Sequence, residues 1–375
     1  MNGIRSSLGR RLVPVAAALL AVVLLQPSAR VRAQGCVASR GGACFHLPGM
    51  ELQPQTGFQA TFGYRWLHSD RHFVGDHEET HRQEEGSEVI NDSHYVDLGL
   101  SYAITPRYGV NLVVPFSFND RSQVVRSNDV QRTILQRFST QSYGLGDIRL
   151  TGNAWVLDPT TMPKANLMFG LGVDMPTGEE DATDTFQAFD PASGQIVARE
   201  RTVDQSIQPG DGGWGLLTEL YGYWRITEKL NAYVNGVYSF TPEEMNGVPT
   251  YRSNPYEQIM SIADTYMGRV GFDYLLIPEW GFALSLGGRI EGVPVYDAFG
   301  GSEGFRRPGF SVGIEPGITA SRWGWTMGVT TPVALYRNRE QSVPDKQLSD
   351  ATGTYRHGDA AFADYLVMVT IARRF

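Results

Sequence analysis

The stretch "YLVMVTIARRF" (365–375) is the one on which the reading of this chain turns. Successive side chains of a β-strand point to opposite faces, so Tyr365, Val367, Val369, Ile371 and Phe375 share one apolar face. One alternating strand is compatible with a soluble sheet, but the pattern recurs. In "FQATFGYRWL" Phe58, Phe62, Tyr64 and Trp66 oppose Gln59, Thr61 and Arg65. In "YVDLGLSYAI" Val96, Leu98, Leu100, Tyr102 and Ile104 oppose Asp97 and Ser101. "YGVNLVVPFSF", "GDIRLTGNAWV", "ANLMFGLGVDM", "GLLTELYGYWRI", "LNAYVNGVYSF", "TYMGRVGFDYLL", "GFALSLGGRIEG", "FSVGIEPGITA" and "WTMGVTTPVAL" behave alike. The total is about twelve segments, each near the ~9–11 residues of a tilted membrane strand.

The joints between segments sort into two kinds. "TPR", "DPTTMP", "TEK", "IPEW" and "SRWG" are short, whereas 70–93, 119–141, 176–212, 241–258, 293–308 and 337–360 are long, and the two kinds alternate. A transmembrane antiparallel up-and-down β-barrel has this asymmetry, with short periplasmic turns and long external loops. A soluble sandwich has regular short turns instead. Closure pairs every backbone group, which lets strands cross lipid. The aromatic Phe375 that ends the last strand is similar to the insertion signal of bacterial outer-membrane barrels, which implies barrel-insertion machinery and outer-membrane lipid as partners.

The N-terminus reads as a secretory signal over 1–33. "MNGIRSSLGRR" is basic, "LVPVAAALLAVVLLQP" is apolar, and Val31 and Ala33 fit cleavage before Gln34. A retained anchor would need ~20 apolar residues, more than this stretch supplies. "AQGC" departs from the pattern that attaches lipid to a cysteine. The expected organisation is therefore signal peptide, a periplasmic segment over 34–56, and an outer-membrane barrel over 57–375, in a Gram-negative envelope. The two cysteines, Cys36 and Cys44, lie in "CVASRGGAC", where an oxidising periplasm favours a local disulfide.

Charge excludes some functions. The chain carries 40 Asp+Glu against 32 Lys+Arg, which argues against a nucleic-acid partner. Within the strands, Arg65, Asp97, Asp147, Arg149, Glu219, Arg225, Arg269, Asp273, Arg289, Glu291 and Glu315 fall opposite the apolar face. Lipid excludes charge at mid-depth, so these are the candidate lumen-lining residues. The expected pairs are Asp147 with Arg149, Glu219 with Arg225 and Arg289 with Glu291. They either fill the barrel or line a polar pathway, because twelve strands lie between filled eight-strand and open sixteen-strand barrels.

"HEETH" (77–81) matches the zinc-protease pattern H-E-x-x-H. That chemistry needs a helix with an apolar back and a third ligand. Here the motif sits in the charged stretch "HSDRHFVGDHEETHRQEEGSEVIND", which reads as a solvated loop, with a weak metal site at His68, His72, His77 or His81 as the alternative. No catalytic residue, cofactor or resident metal is expected.

"YGLGDIRLTG" (143–152) followed by "LGVDMPTGEED" (171–181) resembles the outer-membrane transporters named for the phenol-degradation meta-pathway, which show a G-L-G-D strand and then a strand ending in P-T-G. "QPGDGGWG" (208–215), "GGRIEGVP" (287–294) and "GDAAFADY" (358–365) are similar as well, so the resemblance runs from about residue 55 to the end. It implies a barrel for passive passage of small solutes, hydrophobic or aromatic ones among them, and no catalytic residue. In that phase Gly144 and Gly146 are expected to face lipid together with Ile148 and Leu150. The rival readings are a closed barrel that acts through its external loops and an outer-membrane hydrolase. The longest loop, 176–212, is expected to fold inward or to cap the mouth.

Overall fold

The computed structural model describes residues 56–375. The expected signal peptide (1–33), the expected periplasmic segment up to residue 55 and the expected Cys36–Cys44 disulfide lie outside the described residues. Alternation closes into a single antiparallel barrel of twelve staves. They are β1 (Gly57–Val74), β2 (Ile90–Ala103), β3 (Tyr108–Arg126), β4 (Ile134–Leu145, resuming as Ile148–Trp155), β5 (Ala165–Met175), β6 (Gly215–Arg225), β7 (Leu230–Phe240), β8 (Thr265–Ile277), β9 (Phe282–Val293), β10 (Gly309–Arg322), β11 (Trp325–Thr330, resuming as Val333–Arg339) and β12 (Ala360–Arg374). Each stave pairs with its sequence neighbours, and β12 returns to β1, with Tyr64 opposite Val369 and Trp66 opposite Val367. Closure leaves no edge strand unpaired around the ring.

The two faces of each stave differ in chemistry. On β12, Val367, Val369 and Ile371 alternate with Leu366, Met368, Thr370 and Ala372, all four of which are buried. Phe375 is exposed beyond the strand end, its amide donating to the Phe58 carbonyl at 2.9 Å. Tyr102, Tyr108, Trp224, Trp280 and Trp325 are exposed around the short-turn end, where amphipathic rings suit a membrane interface. Among the described residues no helix is long and apolar enough to cross a membrane; the crossing elements are strands.

Two staves are interrupted, and both interruptions change which way side chains face. In β4 the ladder to β3 runs Phe116–Leu145 and resumes at Val113–Arg149, so four steps along β4 match three along β3. Pro115 has no N–H to give this gap, and its carbonyl accepts from Gly146 at 2.8 Å. One extra residue reverses the phase. Above the break, Phe138, Thr140 and Ser142 are buried and Tyr143 is exposed; below it, Arg149 and Thr151 are buried and Leu150 is exposed. Gly144 therefore shares the inward phase with Ser142, which corrects the expectation that it faces lipid with Ile148 and Leu150. In β11 the Thr331–Pro332 interruption is followed by a register shift, and Leu335 is left exposed.

The external ends carry more ordered structure than loops usually do. Residues 176–214 begin with a hairpin of Thr183–Asp190 paired to Gln195–Thr202. Its Phe186 packs on Val125 and Phe138 of the wall. The last external connection contains helix α1 (Val343–Thr352), started by a reciprocal cap between Ser342 and Asp345 and stopped by Gly353 at φ 64°.

Candidate functional site

Past the hairpin the chain turns into the barrel. Val203 through Gly210 are all buried. The composition of this segment explains why it can enter: "VDQSIQPG" holds one charge, several short polar groups and a Pro-Gly bend, so most of its needs are single hydrogen bonds. These are met from several sides. The Ile207 carbonyl accepts from Asn119 Nδ2 at 3.2 Å and from the Ser142 hydroxyl. Gln205 Nε2 donates to the Ser261 carbonyl at 2.7 Å. Gln208 folds back, donating to the Val203 carbonyl at 3.1 Å and accepting from the Ala182 amide at 3.0 Å.

The one charge, Asp204, collects three cations. Arg307 reaches it with two 2.8 Å hydrogen bonds, Tyr251 donates at 2.6 Å, and Arg121 and Arg252 lie at 3.4 and 3.8 Å. Burial raises the Asp204 carboxyl, but Arg121, Arg307 and Arg252 outweigh it and hold the group well below its ordinary range. A two-pronged guanidinium contact is the strongest form of this pairing. The segment is thereby tied to β3, β4 and two other external connections at once.

The hinge at which the segment enters is built from the three glycine-containing motifs. Asp147, in the β4 break, accepts from the Gly178 amide and the Asp211 amide, each at 3.0 Å. Thr177 Oγ1 accepts from the Ile148 amide at 2.9 Å and donates to the Gly146 carbonyl at 3.0 Å, replacing ladder bonds lost at the break. Gly178 and Gly210 stack so closely that a Cβ on Gly210 would lie 2.7 Å from backbone atoms of Gly178. "GLGD", "PTG" and "QPGDGG" thus form one joint between wall and inward segment.

Below and beside the segment, the wall holds a chain of alternating charge. Arg269 Nη1 donates to Glu315 at 2.8 Å, Arg289 Nη1 to the other Glu315 oxygen at 2.9 Å, and Arg289 Nη2 to Glu291 at 2.5 Å. All four residues are at least 95% buried. Arg65 pairs with Asp97 at 3.0 Å across β1 and β2, Arg149 with Asp174 at 3.4 Å, and Asp273 accepts from Asn231 at 2.7 Å.

Two expected pairs differ from this arrangement. Asp147 serves the Gly178 and Asp211 amides rather than Arg149, because the strand break takes it out of the regular ladder. Glu219 and Arg225 stand six positions apart on β6, roughly 20 Å at ~3.3 Å per residue, and Arg225 is exposed beside the 226–229 turn. Strand phase alone placed Arg225 with the lumen group; its position at the strand end gives it to solvent.

The histidines scatter. His77 and Glu78 lie in a two-residue strand and His81 begins a four-residue helix, so "HEETH" is split between elements. His68 meets Asp92 at 3.1 Å on the outer face. His72 is buried, its Nδ1 2.5 Å from Asp359 while its Nε2 accepts from the Val89 amide at 2.8 Å. Among the described residues no three ligating side chains gather for a metal.

Sequence reasoning missed Arg121, Asp204, Arg252 and Arg307. All but Arg121 belong to external connections, and nothing in a loop's sequence says which wall it will meet. The available signal was the drop in charge from "RERT" (199–202) at the end of the hairpin to "QSIQPG" (205–210), since the hairpin itself carries Arg199, Glu200 and Arg201.

No protein-family model matches the chain, and no curated protein matches it in sequence. Among solved structures, an outer membrane channel from Pseudomonas putida F1 matches with a TM-score of 0.53 and 12% identity, over 86% of this chain and 97% of that one. The CymD monoaromatic hydrocarbon channel matches with a TM-score of 0.45 at 9% identity, over 92% and 98% of the two chains. The toluene transporter TodX of P. putida gives 0.43 at 9%, over 86% and 91%. At these identities the likeness is one of fold: the chain has the fold of an outer-membrane β-barrel.

Proposed function

We propose that this chain is an outer-membrane channel of a Gram-negative bacterium for small solutes with an apolar body, aromatic ones among them, and that Val203–Gly210 forms its constriction. One observation carries the reading: a mostly polar loop segment with the single charge Asp204 lies inside the barrel, held by side-chain hydrogen bonds and ion pairs together with the packing of Val203 and Ile207 on Ala182. The outer membrane channel from P. putida F1, whose fold this chain shares, supports it. So does the resemblance of "GLGD" and "PTG" to transporters named for phenol degradation, since those motifs build the hinge of this segment. Passage is passive in this reading, as the resemblance to those transporters implies.

The test is conductance and flux. Purified protein in planar bilayers should give small, discrete conductance steps. A variant lacking 205–208 should give steps at least several-fold larger, because removing a constriction lowers the series resistance. Equal, near-zero conductance from both proteins would favour the closed barrel that acts through its external loops.

A further inference from the structure

A cavity of about 230 Å³ lies in the external half of the barrel, above the inward segment. It is lined by Arg82, Arg121, Arg252 and Arg307, and by Val293, Phe310 and Phe362. The wall therefore has a cationic side and an apolar side.

The cations exceed the carboxylates that serve them. Asp204 is shared by Arg121, Arg252 and Arg307, and Asp359 serves Arg82 at 2.8 Å together with His72. Glu291 also lines the cavity: its Oε2 meets Arg289, and its Oε1 is buried without a partner. Glu257, near Arg252, does not line the cavity. Four guanidiniums thus face Asp204, Asp359 and one oxygen of Glu291, and the cations remain in excess.

Polar atoms at the cavity lack partners as well. Among the described residues, the Nε atoms of Arg82, Arg121 and Arg252 and the Ser311 hydroxyl make no hydrogen bond. Arg121 is 5% exposed and Ser311 2%. Buried donors left unpaired are costly, so a site of this kind is completed by water or by a ligand that accepts from it. A cavity of about 150 Å³ is enough for benzene, and this one is larger.

We infer that the cavity is a binding site for a small organic carboxylate with an apolar, ring-sized body, the carboxylate on the arginine side and the ring against Val293, Phe310 and Phe362. The inference rests on the channel reading above only for its purpose, as the point at which solutes are selected before the constriction; binding itself does not depend on passage. It also runs against the bulk charge of the chain, whose formal value is −8: the acidic balance lies elsewhere, and the external half of the lumen is locally basic.

The experiment is ¹⁹F NMR titration of the full-length protein in a neutral detergent, with empty micelles as the blank. The probes are 4-fluorobenzoate and its uncharged counterpart 4-fluorobenzyl alcohol. The benzoate should bind at least tenfold more tightly than the alcohol, and chloride at equal concentration should not displace it. Arg121→Gln should weaken benzoate binding at least fivefold. Because Arg121 also holds the inward segment, Arg82→Gln, in the external connection, is the second variant and should weaken it about threefold with the fold intact. Equal binding of the alcohol, displacement by equimolar chloride, or unchanged affinity in both variants would overturn the site; the chloride result would mark a general basic cavity. Benzoate binding with no conductance in bilayers would leave the site standing and remove the channel reading instead.

Discussion

Two charged regions of the same barrel are built on opposite terms. In the wall network Arg269, Glu315, Arg289 and Glu291 alternate, two cations against two anions, all buried and each joined to the next by direct hydrogen bonds. At the inward segment Asp204 alone faces three arginines that come from β3 and two external connections. The first arrangement is balanced in charge and lies within the strands. The second is completed only when a loop folds in, and it leaves cationic capacity over. A balanced network fixes a wall, whereas an unbalanced one holds a movable segment and keeps affinity for an anion.

Removing charge from the balanced network is expected to have the largest effect. Glu315→Gln leaves Arg269 and Arg289 short of a buried partner, and breaking such a pair costs about 3–5 kcal/mol. Urea unfolding in lipid vesicles should show that loss; a variant as stable as the parent would mean that water in the lumen screens the network. Placing charge on the other side of the wall gives the next largest effect. Val369→Arg, near the middle of the outward face of β12, should cost about 2–4 kcal/mol in the same assay. A negligible cost would show that this face does not meet lipid at mid-depth.

The unbalanced region should respond locally. Asp204→Asn should release Val203–Gly210, seen as faster amide exchange there and as larger conductance steps, while the global unfolding midpoint stays within the scatter of surface variants, about 0.5 kcal/mol. If the midpoint falls as far as in Glu315→Gln, the segment is part of the wall's stability and the contrast between the two regions disappears.

The smallest expected effect is that of mild acid. The arginines depress the Asp204 carboxyl in the folded state, so its stabilisation is fully present above the ordinary carboxylate value of 3.8 and is lost as pH falls through the lower folded value. Conductance should therefore be flat from pH 8 to pH 5 as far as Asp204 is concerned, and the segment should open only in stronger acid. Opening between pH 7 and 6 would assign the latch to another group.

Strand phase made most of the wall legible, because a buried and a lipid-facing side impose a period of two that any reader can count. It located Arg269, Arg289, Glu291 and Glu315 on one face, and short against long joints gave the direction of each stave. The same rule misled where its premise failed. One extra residue at Gly146–Asp147 reversed the phase of β4, so Gly144 turned inward and Asp147 left the ladder. At the end of β6 the phase was kept but the depth was not, and Arg225 came out into solvent.

The sequence by itself determined the closed barrel, its twelve staves and the two faces of most of them, since these follow from local alternation and from the lengths of the joints. Only the tertiary structure decided that Val203–Gly210 enters the lumen, that Asp204 meets Arg121, Arg252 and Arg307, and that "GLGD", "PTG" and "QPGDGG" form one hinge. Those contacts join residues as far apart as Arg121 and Arg307 through single hydrogen bonds and ion pairs. Such bonds leave no periodic trace along the chain, because their geometry is set by the closure of the barrel and not by the residues on either side.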